Sequence, residues 1–367
     1  MYGMNSAAKD FDGINKYIRI TDISETSHKF VPNPLTSPEG ELDNKYKLQK
    51  GDLVFARTGA STGKSYIYDE NDGNLYFAGF LIKFHIDNAI PKFIFYNTLK
   101  EEYLNWVSVM SVRSGQPGIN SNEYKKLPIY LPSFDEQNKV SNFLENVDKK
   151  IELLEKKYNS YVDFKQYLMQ QIFTQKLRFD FTYEWDNYLL ADISTIGKGF
   201  TPSTSNPDYW EGNLKWLSIA DMNQGKYINQ TTKKITFEGS KNKEPIKKGT
   251  LLMSFKLSIG KLGILNEDMY TNEAICNFQW KNKKIMTEYM YYYLSSINIL
   301  KYGSQAAKGI TLNNETLSTI PVLLPSIEEQ NKIIDILSNL DLKINMLENI
   351  IKITSKFKKG LLQQMFV

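Results

Sequence analysis

Two stretches of the chain carry apolar residues in a three–four alternation that repeats every seven positions. In the first, one row is Val140, Val147, Leu154, Tyr161 and Leu168, and the other is Leu144, Ile151, Tyr158, Lys165 and Ile172. In the second, the rows are Ile333, Leu340, Leu347, Thr354, Leu361 and Leu337, Ile344, Ile351, Lys358, Met365. A stripe of two positions in seven, held for about five heptads, predicts long helices that pair along a coiled-coil seam. At 1.5 Å per residue, about 42 residues make a rod of roughly 60 Å. Ser133 with Glu136, and Ser326 with Glu329, have the S-x-x-E spacing of a capping box at each helix start. Lys165 and Lys358 interrupt the two seams at the same place, where a polar residue can set register at a cost in stability.

The two stretches are copies of each other. Residues 127–173 align without a gap with 320–366 at a constant offset of 193: Leu131-Pro132-Ser133 meets Leu324-Pro325-Ser326, and Glu136-Gln137-Asn138-Lys139 meets Glu329-Gln330-Asn331-Lys332. The segments between them match only loosely. Tyr17-Ile18-Arg19-Ile20-Thr21-Asp22-Ile23 parallels Trp216-Leu217-Ser218-Ile219-Ala220-Asp221-Met222, and Lys50-Gly51-Asp52-Leu53 parallels Lys248-Gly249-Thr250-Leu251, at offsets that drift with insertions. Alternating, β-branched and aromatic runs at 17–21 and 75–84 predict strands. Helical patches at 91–105 and 286–300 make each unit mixed. The expected fold is therefore α+β: two pseudo-repeated globular units (1–132 and 179–325) separated by two long helices (133–178 and 326–367). The helices pair antiparallel as a coiled coil and give approximate twofold symmetry. Near-identical helices beside divergent units suit a constant partner for the former and variable targets for the latter.

Composition narrows the chemistry. The 367 residues include one Cys, Cys276, and two His, which excludes an internal disulfide and argues against a His/Cys metal site. No apolar run approaches the ~20 residues that span a bilayer, so no membrane is expected and the protein is read as cytoplasmic. The net charge of +4 neither requires nor forbids nucleic acid. Residues 1–132 carry 15 basic and 15 acidic side chains, and 183–325 carry 16 and 13. Gly59-Ala60-Ser61-Thr62-Gly63-Lys64-Ser65 has three residues where a P-loop needs four before its Gly-Lys pair. Asn206-Pro207-Asp208-Tyr209 lacks the second Pro of an adenine-methyltransferase loop. With no catalytic constellation in view, the chain reads as a non-catalytic recognition protein.

The doubled L/I-P-x-x-L-P-S-[FI]-x-E-Q-N-K-[VI] motif, each copy opening a heptad helix, resembles the specificity subunit of Type I restriction–modification enzymes. The parallel Ile-x-[IA]-x-Asp-[IM] and Lys-Gly segments, and Gly197-Lys198-Gly199-Phe200-Thr201-Pro202-Ser203, carry the same resemblance over essentially the whole chain. It implies two target-recognition domains, each reading one half of a split, asymmetric double-stranded DNA sequence. It implies a coiled coil that sets their spacing and docks two methyltransferase subunits, with restriction/translocase subunits joining. S-adenosylmethionine, ATP and Mg are then expected on the partners, for N6-adenine methylation and restriction, and no cofactor on this chain. A coiled-coil assembly scaffold that reads no DNA is the alternative. Against that pattern, the second unit opens with about 17 residues, Tyr183–Gly199, that have no counterpart ahead of Tyr2, so the first unit is expected to lack its opening segment.

No motif singles out the base-reading residues. The candidates are Arg19 on an alternating strand, Arg57 and Lys64 beside a turn, and Arg113 and Gln116 in a loop before the first long helix. In the second unit they are Lys256 and Lys261 around the equivalent turn, and Gln305 and Lys308 in the equivalent loop. Residues 179–325 contain no Arg, so the second unit is expected to read bases with Lys, Asn and Gln. The seam is expected to rest on Val140, Leu144, Val147, Ile151, Leu154 and on Ile333, Leu337, Leu340, Ile344, Leu347.

Overall fold

The computed structural model describes residues 1–179, 183–256, 258–306 and 309–366, with backbone alone at 304–306 and 309–311. The chain forms two compact units, one made of Met1–Glu155 with Asn349–Val367 and the other of Lys156–Glu348. Each unit joins one globular segment to part of both long helices, Phe134–Phe173 and Ile327–Gln364.

In unit one, the antiparallel strands Ser65–Ile67, Asp52–Ala56 and Leu81–His85 form a sheet in that order. All five residues of the central strand are buried, and its period of two splits them between two cores. Leu53 and Phe55 face the helices, whereas Val54 and Ala56 face Ile18, Leu48 and Phe77. The predicted strand at 17–21 stops at Ile18 and turns into a single helical turn at Ile20–Asp22, because the Asp22 carboxylate caps Arg19. The run at 75–84 is two strands, Leu75–Phe77 and Leu81–His85. Helices Pro91–Asn97 and Glu101–Met110 follow.

Unit two repeats this core with an added edge. Its sheet runs Tyr227–Ile228, Leu262–Leu265, Leu251–Ser254, Ile275–Trp280, Ser194–Lys198. The central strand again divides its side chains, Leu251 and Met253 to one core and Leu252 to the other. Cys276 lies beneath this sheet with its thiol on the Met253 carbonyl, and burial pushes its pKa up to about 12. A thiol kept protonated and enclosed does not react. A disulfide reagent at pH 8 should therefore leave the native chain unlabelled over minutes and titrate one thiol at once in denaturant; rapid native labelling would contradict the packing.

The long helices join the two cores the same way in each unit. In unit one, Val140 and Leu144 share a cluster with Leu361, Leu362, Met365 and Phe366. Farther from that cluster, Asp148 pairs with Lys358 at 2.6 Å. Moving away from the core therefore means rising numbers on one helix and falling numbers on the other, so the two segments run antiparallel. Unit two is the same arrangement shifted by 193. Ile333, Leu337 and Leu340 cluster with Leu168, Ile172 and Phe173, and Asp341 pairs with Lys165. Val147 and Leu347 are also buried, and Ile151, Leu154 and Ile344 are half-buried.

The lysines that break the seams are thus neutralised within them. A tyrosine completes each group: the Tyr96 hydroxyl donates to Asp148 at 2.9 Å and Tyr292 to Asp341 at 2.6 Å. The lysine ammoniums lie 5.7 and 5.4 Å from those same rings. Such a group rewards one register and penalises its neighbours, which would leave a half-buried charge unpaired. The E-Q pair of the repeated motif has a different task from the capping box. Ser133 and Ser326 do cap, accepting from the Glu136 and Glu329 amides at 3.3 Å. Gln137 and Gln330, both buried, accept from the Ile90 and Met286 amides and donate to the Pro132 and Pro325 carbonyls. They tie each helix start to its globular segment. Among the described residues, no helix is long and apolar enough to cross a membrane.

Candidate functional site

Three loops meet at one end of unit one. The 57–64 turn holds the 113–118 loop through Gly59 N–H to the Pro117 carbonyl and Ile119 N–H to the Arg57 carbonyl, each 2.9 Å. The same turn holds the 20–25 segment through Lys64, whose ammonium donates to the Ile23 carbonyl at 3.0 Å and pairs with Glu25. Gly63 permits this turn because its φ is +92°, and an added Cβ would fall 2.5 Å from Val107.

Four of the five unit-one candidates therefore have partners inside the protein. Lys64 is 8% exposed. Arg19 forks onto Asp22 with two 2.8 Å bonds. The Arg57 guanidinium lies 4.9 Å from the centre of the Tyr2 ring. Arg113 donates to both Glu123 oxygens and to the Met110 and Val112 carbonyls. These groups order the loops. Gln116, the fifth, is exposed.

Unit two has the same turn: Ser254 N–H to the Lys261 carbonyl and Gly260 N–H to the Ser254 carbonyl reproduce Ala56 to Lys64 and Gly63 to Ala56. Gly260 has φ +88°. Lys256 is exposed beside the Phe255 ring, and Lys261 is half-buried. Gln305 falls in the short Ser304–Ala306 strand paired with Gly309–Thr311, and Lys308 lies outside the described residues.

Sequence reasoning missed the 218–232 loop, the counterpart of 19–34. Asp221 anchors it, accepting from Ser218 N–H and Oγ and from Thr232 N–H at 2.7–3.0 Å. Burial pushes its carboxyl up, but these hydrogen bonds outweigh that and hold it below the usual range. Gln224 is spent on the Asp221 and Gln230 carbonyls. Asn223, Gln230 and Thr231 edge a shallow polar cleft, with Asn223 and Gln230 exposed. The legible signal was the amide-rich run from Asn223 to Thr232, directly after the Ile-x-Asp-Met segment.

A lysine ties each of these loops to a long helix. Lys226 donates to Glu288 at 2.7 Å, Ser338 at 3.0 Å and the Tyr292 hydroxyl at 3.2 Å. Lys29, 197 positions earlier, reaches Glu152 at 2.6 Å. Lys226→Met should cost unit two about 1–2 kcal/mol and speed hydrogen exchange across 219–232; unchanged exchange there would show that the loop does not depend on this anchor. Among the described residues, no cluster of three or more His, Cys, Asp or Glu could hold a metal ion.

A family model described as the Type I restriction modification DNA specificity domain matches residues 4–160 and again 183–355. The chain is 31% identical over 175 residues to the Type I restriction enzyme MjaIX specificity subunit of Methanocaldococcus jannaschii, covering 45% of this chain and 39% of that protein. It is 21% identical over 400 residues to the HindI specificity subunit of Haemophilus influenzae, covering 87% and 86%. Among solved structures, a chain of a type I R-M system shares the fold at a TM-score of 0.64 and 16% identity, covering 100% of this chain and 95% of that one. With both copies of the repeat matched, the chain belongs to the Type I restriction modification DNA specificity domain family.

Proposed function

We propose that this chain is the non-catalytic DNA-specificity subunit of a Type I restriction–modification complex, acting in the cytoplasm. The observation that carries this reading is the duplication itself. Two units keep one scaffold and one helix-anchoring group, Lys–Asp–Tyr, yet present different polar loops. Each globular segment reads one half of a bipartite, asymmetric double-stranded DNA target. The paired helices form an antiparallel coiled coil that fixes the spacing between the halves and docks two methyltransferase subunits. Those partners bind S-adenosylmethionine and methylate an adenine turned out of the stack; restriction/translocase subunits use ATP and Mg.

In unit one, Arg19, Arg57, Lys64 and Arg113 shape the reading loops, and Gln116 is left to contact DNA. In unit two, Asn223 and Gln230, joined by Gln305, supply amides suited to adenine edges, while Lys256, Lys261 and Lys308 hold phosphates. A good base contact is worth about 1–3 kcal/mol of discrimination. In the complex reconstituted with its methyltransferase, Asn223→Ala with Gln230→Ala should therefore relax one half of the methylated motif by about tenfold or more. The other half should stay unchanged. Equal relaxation of both halves, or none, would remove this loop from base reading.

A further inference from the structure

The repeated Leu/Ile-Pro-x-x-Leu-Pro-Ser motif has opposite surroundings in its two copies. In unit two, Pro321–Leu324 is a strand paired antiparallel with Asp186–Leu189. Ile320 and Val322 are fully buried and Leu324 is 9% exposed. The covering segment continues through Leu190 and Ile193, both in the core, and Leu190 N–H donates to the Ile320 carbonyl at 2.8 Å. Trp185, also buried, donates its indole N–H to Glu329 at 3.0 Å, and Arg178 pairs with the same carboxylate.

In unit one the same motif is bare. Residues 128–131 pair with no strand, Tyr130 is 85% and Leu131 51% exposed, and Glu136, the counterpart of Glu329, is exposed. An unpaired edge flanked by large apolar side chains is a template for an added strand. The register fixes the direction of entry. Tyr2 bridges Ile82, and Lys198 pairs with Cys276. Ile82 and Cys276 hold the same place against the central strand, opposite Phe55 and Met253.

We propose that residues 127–136 form a receptor for an extended polypeptide segment of the Trp185–Ile193 kind. It enters ahead of Met1, pairs with 128–131, seats an indole on Glu136 and buries two aliphatic side chains against unit one. The inference rests on strand pairing alone and does not depend on the DNA-reading proposal.

The test is to fuse a copy of residues 183–196 directly ahead of Met1 in the full chain. Hydrogen exchange is then followed at the 129, 130 and 131 amides. Protection of these amides by at least about tenfold relative to the unfused chain is expected, as is a rise in the melting temperature of unit one. A fused segment of scrambled order should give neither. Replacing the added copy's tryptophan by Ala, or Glu136→Ala, should abolish most of the protection. Exchange at 129–131 as fast with the native-order fusion as without it would overturn the proposal.

Discussion

Leu337→Ala should loosen unit two and leave unit one at its original stability, while Leu144→Ala should do the reverse. Both side chains are fully buried, one in each helix-borne cluster. Truncating a buried leucine removes its transfer free energy and leaves a cavity, a combined cost of about 3 kcal/mol. For a body of this size that is a fall of roughly 6–12 °C in Tm. Hydrogen exchange resolved by peptide separates the two outcomes. The effect should concentrate in 164–345 for Leu337→Ala and in 50–150 with the last helical turns for Leu144→Ala. Equal loosening of both units by either variant would mean that the chain folds as one cooperative block.

The second large effect is expected at Glu329. Its side chain is 2% exposed and accepts from both the Arg178 guanidinium and the Trp185 indole. Glu329→Leu leaves a guanidinium and an indole N–H facing an apolar group, and removing one partner of an enclosed charge pair costs about 3 kcal/mol. Glu136→Leu, at the same motif position, should cost under about 0.5 kcal/mol, because its carboxylate stands in water. Thermal unfolding of the two variants side by side reads the difference; similar losses would show that position 329 owes its importance to the helix start and not to its partners.

That contrast marks where the sequence stops being legible. The heptad rows announced both helices to within a residue or two of their starts, because a two-in-seven stripe suits little besides a helix paired along one seam. The antiparallel sense was an expectation from the copy number alone, and its physical basis, the Lys165–Asp341 and Lys358–Asp148 groups, needs residues distant in sequence. The Glu of Ser-x-x-Glu looked like half of a capping box. One copy serves Arg178 and Trp185 instead, a tertiary demand that local spacing does not carry. The candidate contacts suffered for the same reason. A lysine or arginine in a loop reads as available, yet Lys64 is drawn inward by two carbonyls and Glu25, and Arg113 by Glu123. The 218–232 loop went unmarked because amides beside glycine look like any solvated turn until Asp221 is seen to anchor them.

The role proposed for this chain is to choose the DNA sequence for a partner that performs the chemistry. Co-expression with its methyltransferase subunit, followed by genome-wide mapping of N6-methyladenine, is the decisive experiment. Methylation is expected at a bipartite motif with a fixed gap, and only when this chain is present. Replacing residues 183–325 by those of a relative should rewrite one half of the motif and keep the gap. Methylation that is the same with and without the chain, or a motif without two separable halves, would contradict that role.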